Sequence, residues 1–175
     1  MHDSDFVNFV IKNGMVNTTR DAHYYLARIY SLLDNQEKSI AILTELHKKD
    51  PKDLIVFQDL GYSYLLDKKY KKAKAIFTTC IDEMQKNDNV YCNRGISNLE
   101  TGDLNLALDD FTYAIGLKSN NGWAYFYRGI VNARMNNMQG AYSDFHAAKQ
   151  LGGLLPSQEK DITTILQKDF AKNGW

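Results

Sequence analysis

The sequence has little of what interrupts or staples a chain. It contains two prolines in 175 residues, Pro51 and Pro156. So few breakers exclude a loop-rich fold and suit long helices with short connections. Two cysteines, Cys80 and Cys92, are too few for a disulfide framework. Net charge is lacking too, because Lys+Arg and Asp+Glu both number 21. A general nucleic-acid binder needs surplus cations to displace counterions from phosphates, so that class is excluded. No apolar run approaches the roughly 18 residues of a membrane span. The opening stretch "MHDSDFVNFVIKNG" begins acidic and lacks the basic region of a secretory signal. A cytoplasmic location is the default expectation, and a secreted or periplasmic one stays open where a leader has been removed.

Catalytic patterns are equally scarce. The four histidines are His2, His23, His47 and His146, and none belongs to an HExxH pair or lies in metal-ligand spacing with a cysteine. The sequence holds no GxSxG, P-loop or GxGxxG stretch. The expectation is a protein without catalysis, cofactor or metal. Cys80 reads as a small buried hydrophobe.

What the sequence does hold is a repetition. "RGISNLETGDLNLALDDFTYAIGL" starts at Arg94, and "RGIVNARMNNMQGAYSDFHAAKQL" starts at Arg128, 34 residues later. The same ruler defines four windows without a gap: 20–53, 54–87, 88–121 and 122–155. Within a window, position 8 is Ala27, Gly61, Gly95, Gly129, and position 20 is Ser39, Ala73, Ala107, Ala141. Position 24 is Leu43, Phe77, Phe111, Phe145, and position 27 is Leu46, Cys80, Ala114, Ala148. Positions 4, 8 and 11 fall on one helical face, as do 20, 24 and 27. Each window therefore predicts two amphipathic helices. Small residues let the pair approach closely, and the large residue at 24 fills the space between them. Position 15 reads Asp34, Lys68, Gly102, Asn136. Three of these four tolerate the left-handed turn that ends a helix.

Windows of this length and pattern resemble the tetratricopeptide repeat. The resemblance implies an all-α fold, a right-handed solenoid of four helical hairpins with capping helices at both ends. Residues 1–19 read as an N-terminal cap with a helix over 4–13, residues 20–155 as the repeats, and residues 156–175 as a C-terminal cap with a helix over 157–172. The family's tryptophan at position 4 is absent, and its leucine at position 7 becomes Arg94 and Arg128 in the last two windows. Stacked hairpins bury each other's apolar faces, which one hairpin alone cannot do.

In this family the first helix of each pair lines a concave groove through positions 2, 5, 9, 12 and 13. Carried over by position, the groove candidates are Tyr24, Arg28, Gln58, Tyr62, Leu65, Asn89, Cys92, Ile96, Leu99, Trp123, Phe126 and Ile130. The basic clamp that relatives use for a terminal carboxylate is not matched. The expected function is a protein–protein interaction module that takes a peptide or protein segment with apolar anchors. The alternatives are a chaperone-like holder of an exported or assembling protein, or a structural module whose groove is filled by its own terminus or by a second copy in a homodimer. Nucleic acid and membrane are not expected partners. Five lysines within "DKKYKKAKA" (67–75) read first as a solvated helix start and second as a docking patch for an acidic partner.

Overall fold

The computed structural model describes residues 2–83 and 87–152, together with Lys160, Ile162 and Thr164. Among them the chain forms nine α-helices and no strand. They are α1 (Asp3–Lys12), α2 (Thr19–Leu32), α3 (Gln36–Lys49), α4 (Leu54–Leu66), α5 (Tyr70–Glu83), α6 (Asp88–Thr101), α7 (Leu104–Leu117), α8 (Gly122–Arg134) and α9 (Met138–Gln150). Two compact units result, Met1–Met84 with α1–α5 and Gln85–Trp175 with α6–α9. Helices α2–α3, α4–α5, α6–α7 and α8–α9 pair as hairpins.

Short polar side chains start most of these helices. Thr18, Asn35, Asp53, Asn87, Asn121 and Asn137 each accept a hydrogen bond from a first-turn amide, which satisfies a donor the helix itself cannot. The turns inside the hairpins are identical. Asp34, Lys68, Gly102 and Asn136 all have positive φ, from 56° to 86°. Each is followed by a residue whose amide bonds back to the carbonyl at position 11: Asn35 to Tyr30, Lys69 to Tyr64, Asp103 to Asn98 and Asn137 to Asn132, at 2.8–2.9 Å. This is a Schellman closure repeated four times. Lys68 adopts the left-handed conformation without a glycine's or asparagine's ease, so tertiary packing overrides local preference there.

Within each hairpin, position 8 faces position 24. A methyl group added at Gly95 or Gly129 would stand 2.9 or 2.6 Å from the ring of Phe111 or Phe145. Glycine is needed at these positions for that close approach. Phe77, Phe111 and Phe145 are buried, as are the small residues at positions 20 and 27 beside them. At the N-terminus, α1 lies on α2 through Val7 and Val10 against Ala22 and Leu26. The helix expected over 157–172 lies outside the described residues except for Lys160, Ile162 and Thr164. Those three are helical, and Ile162 is buried with Phe126, Ala141, Phe145 and Ala148.

Candidate interaction surface

The twelve groove positions sit on α2, α4, α6 and α8, the first helices of the four hairpins. Their accessibility divides them. Arg28, Tyr62, Asn89 and Trp123 are exposed, and Tyr24, Gln58, Ile96 and Ile130 are half-buried. Leu65, Cys92, Leu99 and Phe126 are buried. Phe126 packs on Phe145, 6.1 Å between ring centroids, and shares its cluster with Ile162. Leu99 and Cys92 belong to the core that joins α6, α7 and α8. A position number gives a direction around a helix. It does not say how much neighbouring structure covers that direction, and these four side chains are covered.

In the first unit the accessible surface is mixed. A cavity of about 190 Å³ is lined by Arg28, Ser31, Asp59 and Tyr62, with the buried Ser39 and Ser63 hydroxyls hydrogen-bonded at 3.0 Å beneath it. Tyr24 donates its phenol to Asp59 at 2.8 Å. Burial, together with that carboxylate, pushes the Tyr24 hydroxyl up to about 12. The guanidinium of Arg28 lies 5.9 Å from the Tyr24 ring centre, at the outer range of a cation–π contact. In the second unit the exposed Trp123 stacks on Tyr127 at 5.7 Å, and Ile96 and Ile130 lie half-buried against the same core. Asn121 donates to Asp88 at 2.8 Å and accepts from the amide of Ala124, which fixes the start of α8 next to Trp123.

The Cys92 thiol is buried. Burial, helped by the nearby Asp88 carboxylate, pushes it up to about 12, and burial alone pushes Cys80 to about 11. The thiolate that redox chemistry needs is therefore suppressed at both. Among the described residues no three His, Cys, Asp or Glu side chains gather as a metal site would require. No helix among them is long and apolar enough to cross a membrane. The lysine-rich start of α5 is partly engaged locally: Lys69 pairs with Asp67 at 2.6 Å, and Lys72 lies 5.2 Å from the Tyr64 ring centre.

The arginines at position 7 have a purpose that reading the sequence by position missed. Arg94 forks onto Asp110, with its Nη2 2.6 Å from one carboxylate oxygen and its Nε 3.1–3.2 Å from both. Asn98 donates to the same carboxylate at 2.8 Å. The next hairpin repeats this with Arg128 and Asn132 on Asp144, at 2.7–2.9 Å. Arg128 also reaches Thr112 of the preceding hairpin at 3.4 Å. The signal was present as three residues that recur together, at positions 7, 11 and 23 of both windows. In the first unit the same positions hold Leu26, Tyr30 and Ile42, then Leu60, Tyr64 and Ile76.

Residues 21–53 match the family model of the tetratricopeptide repeat. That stretch is a tetratricopeptide repeat. No curated protein matches the sequence. Solved structures share the fold. A double mutant of MamA from RS-1 superposes with a TM-score of 0.73 at 14% identity, covering 86% of this chain and 85% of that one. MamA from Desulfovibrio magneticus RS-1, from residue 41 to its end, gives 0.71 at 16% identity over 76% and 75% of the two chains. MamA from AMB-1 gives 0.64 at 22% identity over 78% and 74%. At these identities the likeness concerns the helical-hairpin fold. The matched window, 21–53, is the one whose position 20 and position 27 residues, Ser39 and Leu46, depart most from small apolar types. Its tetratricopeptide character therefore rests on the pattern as a whole.

Proposed function

We propose that this tetratricopeptide-repeat chain is a protein-interaction module. It takes a peptide or protein segment on the exposed side of its first helices and does no chemistry of its own. The observation that carries the reading is the state of Trp123. This large aromatic is exposed on α8, yet its ring is held against Tyr127. An ordered aromatic that is not core is the kind of anchor that dominates binding energy at protein interfaces. Tyr62, exposed on α4 at the rim of the Arg28 cavity, is its counterpart in the first unit. Apolar anchoring is favoured over charge because neither surface carries a cluster of one sign.

The test uses a partner captured from the source cell and titrated calorimetrically. Trp123→Ala and Tyr62→Ala should each weaken binding by about 1–3 kcal/mol, roughly five- to over a hundredfold. Melting temperatures should stay unchanged, because neither side chain is core. Phe126→Ala serves as the contrast, since it removes a buried ring and should lower the melting temperature. Full affinity in both exposed-site variants would contradict the proposal.

A further inference from the structure

The two units build the same place in opposite ways. Positions 9, 12 and 20 of one window meet positions 6 and 10 of the next. In the second unit these are Ile96, Leu99 and Ala107, then Tyr127 and Val131, and all five lie in one apolar cluster. In the first unit they are Arg28, Ser31 and Ser39, then Asp59 and Ser63, and the space they line is the cavity of about 190 Å³. The fold closes this place with apolar side chains in the second unit, so packing does not require the polar set in the first.

That set leaves both donors and acceptors facing the cavity. Ser39 and Ser63 are 0% and 1% exposed, and the bond between them uses only one of their two hydroxyl protons. Ser97, at the position of Ser63 in its own window, turns its proton back onto the carbonyl of Asn93 at 2.9 Å. Among the described residues the Ser39–Ser63 pair has no such outlet, and a buried hydroxyl proton without an acceptor is rare. Arg28 forms no ion pair among the described residues, and its guanidinium meets only the Tyr24 ring, 5.9 Å away. Tyr24 donates to Oδ2 of Asp59 and leaves Oδ1 as an acceptor.

These leftovers select the chemistry of what enters. A carboxylate offers acceptors to Arg28 and the serine pair but meets the like charge of Asp59. An ammonium offers donors to Asp59 but meets the like charge of Arg28. A primary carboxamide is neutral and carries an acceptor and two donors on one small group. The cavity also has more room than a single hydroxyl fills.

We propose that this cavity is a subsite for the carboxamide of a glutamine side chain in the bound protein segment. Its carbonyl accepts from Arg28 and the serine pair, and its amide donates to Oδ1 of Asp59. The exposed Tyr62 ring, at the rim of the cavity, flanks the aliphatic stem. This subsite rests on the reading of the first-helix surface as the binding face, and it adds a residue preference to that reading.

The test titrates N-acetyl-glutamine N-methylamide into isotopically labelled protein and follows backbone amide shifts. A ligand this small should saturate with a Kd of about 1–10 mM and move the amides of Ser31, Ser39 and Ser63. The corresponding glutamate and lysine compounds should bind at least about fivefold more weakly, because each meets a like charge. Arg28→Gln should turn the preference towards the lysine compound, and Asp59→Asn should turn it towards the glutamate compound. Arg28 is exposed, so Arg28→Gln should keep the wild-type melting temperature and decides the matter alone if Asp59→Asn melts early. No saturation by the glutamine compound up to ~50 mM, equal binding of the three compounds, or a preference unmoved by Arg28→Gln would each overturn the proposal. These compounds carry no aromatic anchor for Trp123. If the titration fails while Trp123→Ala still weakens a captured partner, the glutamine subsite falls and the interaction reading stands.

Discussion

The hairpins α4–α5 and α6–α7 have the same length, the same turn closure and the same phenylalanine at position 24, yet they are locked differently. In the first, positions 7, 11 and 23 hold Leu60, Tyr64 and Ile76. In the second they hold Arg94, Asn98 and Asp110, and Asp110 is buried beneath three donors. One backbone therefore accepts either an apolar contact or a charge-assisted network at the same place. The difference teaches which part of the repeat is obligatory. The small residue at 8, the large one at 24 and the left-handed turn at 15 are common to both. The trio at 7, 11 and 23 is free to vary as a unit, because a carboxylate taken out of water requires its cation and its amide together.

The largest effect should come from the shared part. Phe77→Ala and Phe111→Ala each remove a fully buried ring and should each cost about 3–5 kcal/mol in chemical denaturation. A loss confined to one of them would show that the two hairpins do not share a core plan.

The variable part should behave otherwise. Arg94→Met, Asn98→Val and Asp110→Val together replace the second unit's trio by apolar residues close to it in volume. Replacing a buried ionic network by apolar residues of similar volume is often neutral, or stabilising by about 1–4 kcal/mol. Denaturation of the triple variant should therefore give a stability no lower than wild type. A large loss would mean that the surrounding hairpin is built around the charges.

The smallest effect concerns the turn. Lys68 stands at φ 56° where the second unit has Gly102 at 86°. Lys68→Gly should raise stability by about 1 kcal/mol, because the left-handed conformation is no longer strained. A decrease would show that the Lys68 side chain contributes contacts outweighing that strain.

Much of this was legible in advance. The hairpin pairing, the buried phenylalanines and the turn at position 15 follow from residue size at fixed spacing, which is local information. Lys68 was the exception among the four turn residues by type, and its backbone conforms because its neighbours at positions 8 and 24 hold the hairpin closed. The burial of Leu65, Cys92, Leu99 and Phe126 was not legible. It depends on what covers each first helix, a tertiary quantity that no position number contains. Arg94 and Arg128 stood out as departures from leucine, but their partner lies 16 residues away on the other helix. Only the joint recurrence of arginine, asparagine and aspartate pointed to it.

The claim that the second unit is locked by a cooperative charged trio is tested most directly by a double-mutant cycle on Arg94 and Asp110. Asp110→Ala alone removes the carboxylate onto which Arg94 forks and should cost about 3–5 kcal/mol. Arg94→Ala alone strands the carboxylate and should cost a similar amount. The double variant should be no less stable than either single one, because each removal cancels the penalty the other leaves behind. If the two losses simply add, Arg94 and Asp110 act independently, and the account of the second unit is wrong.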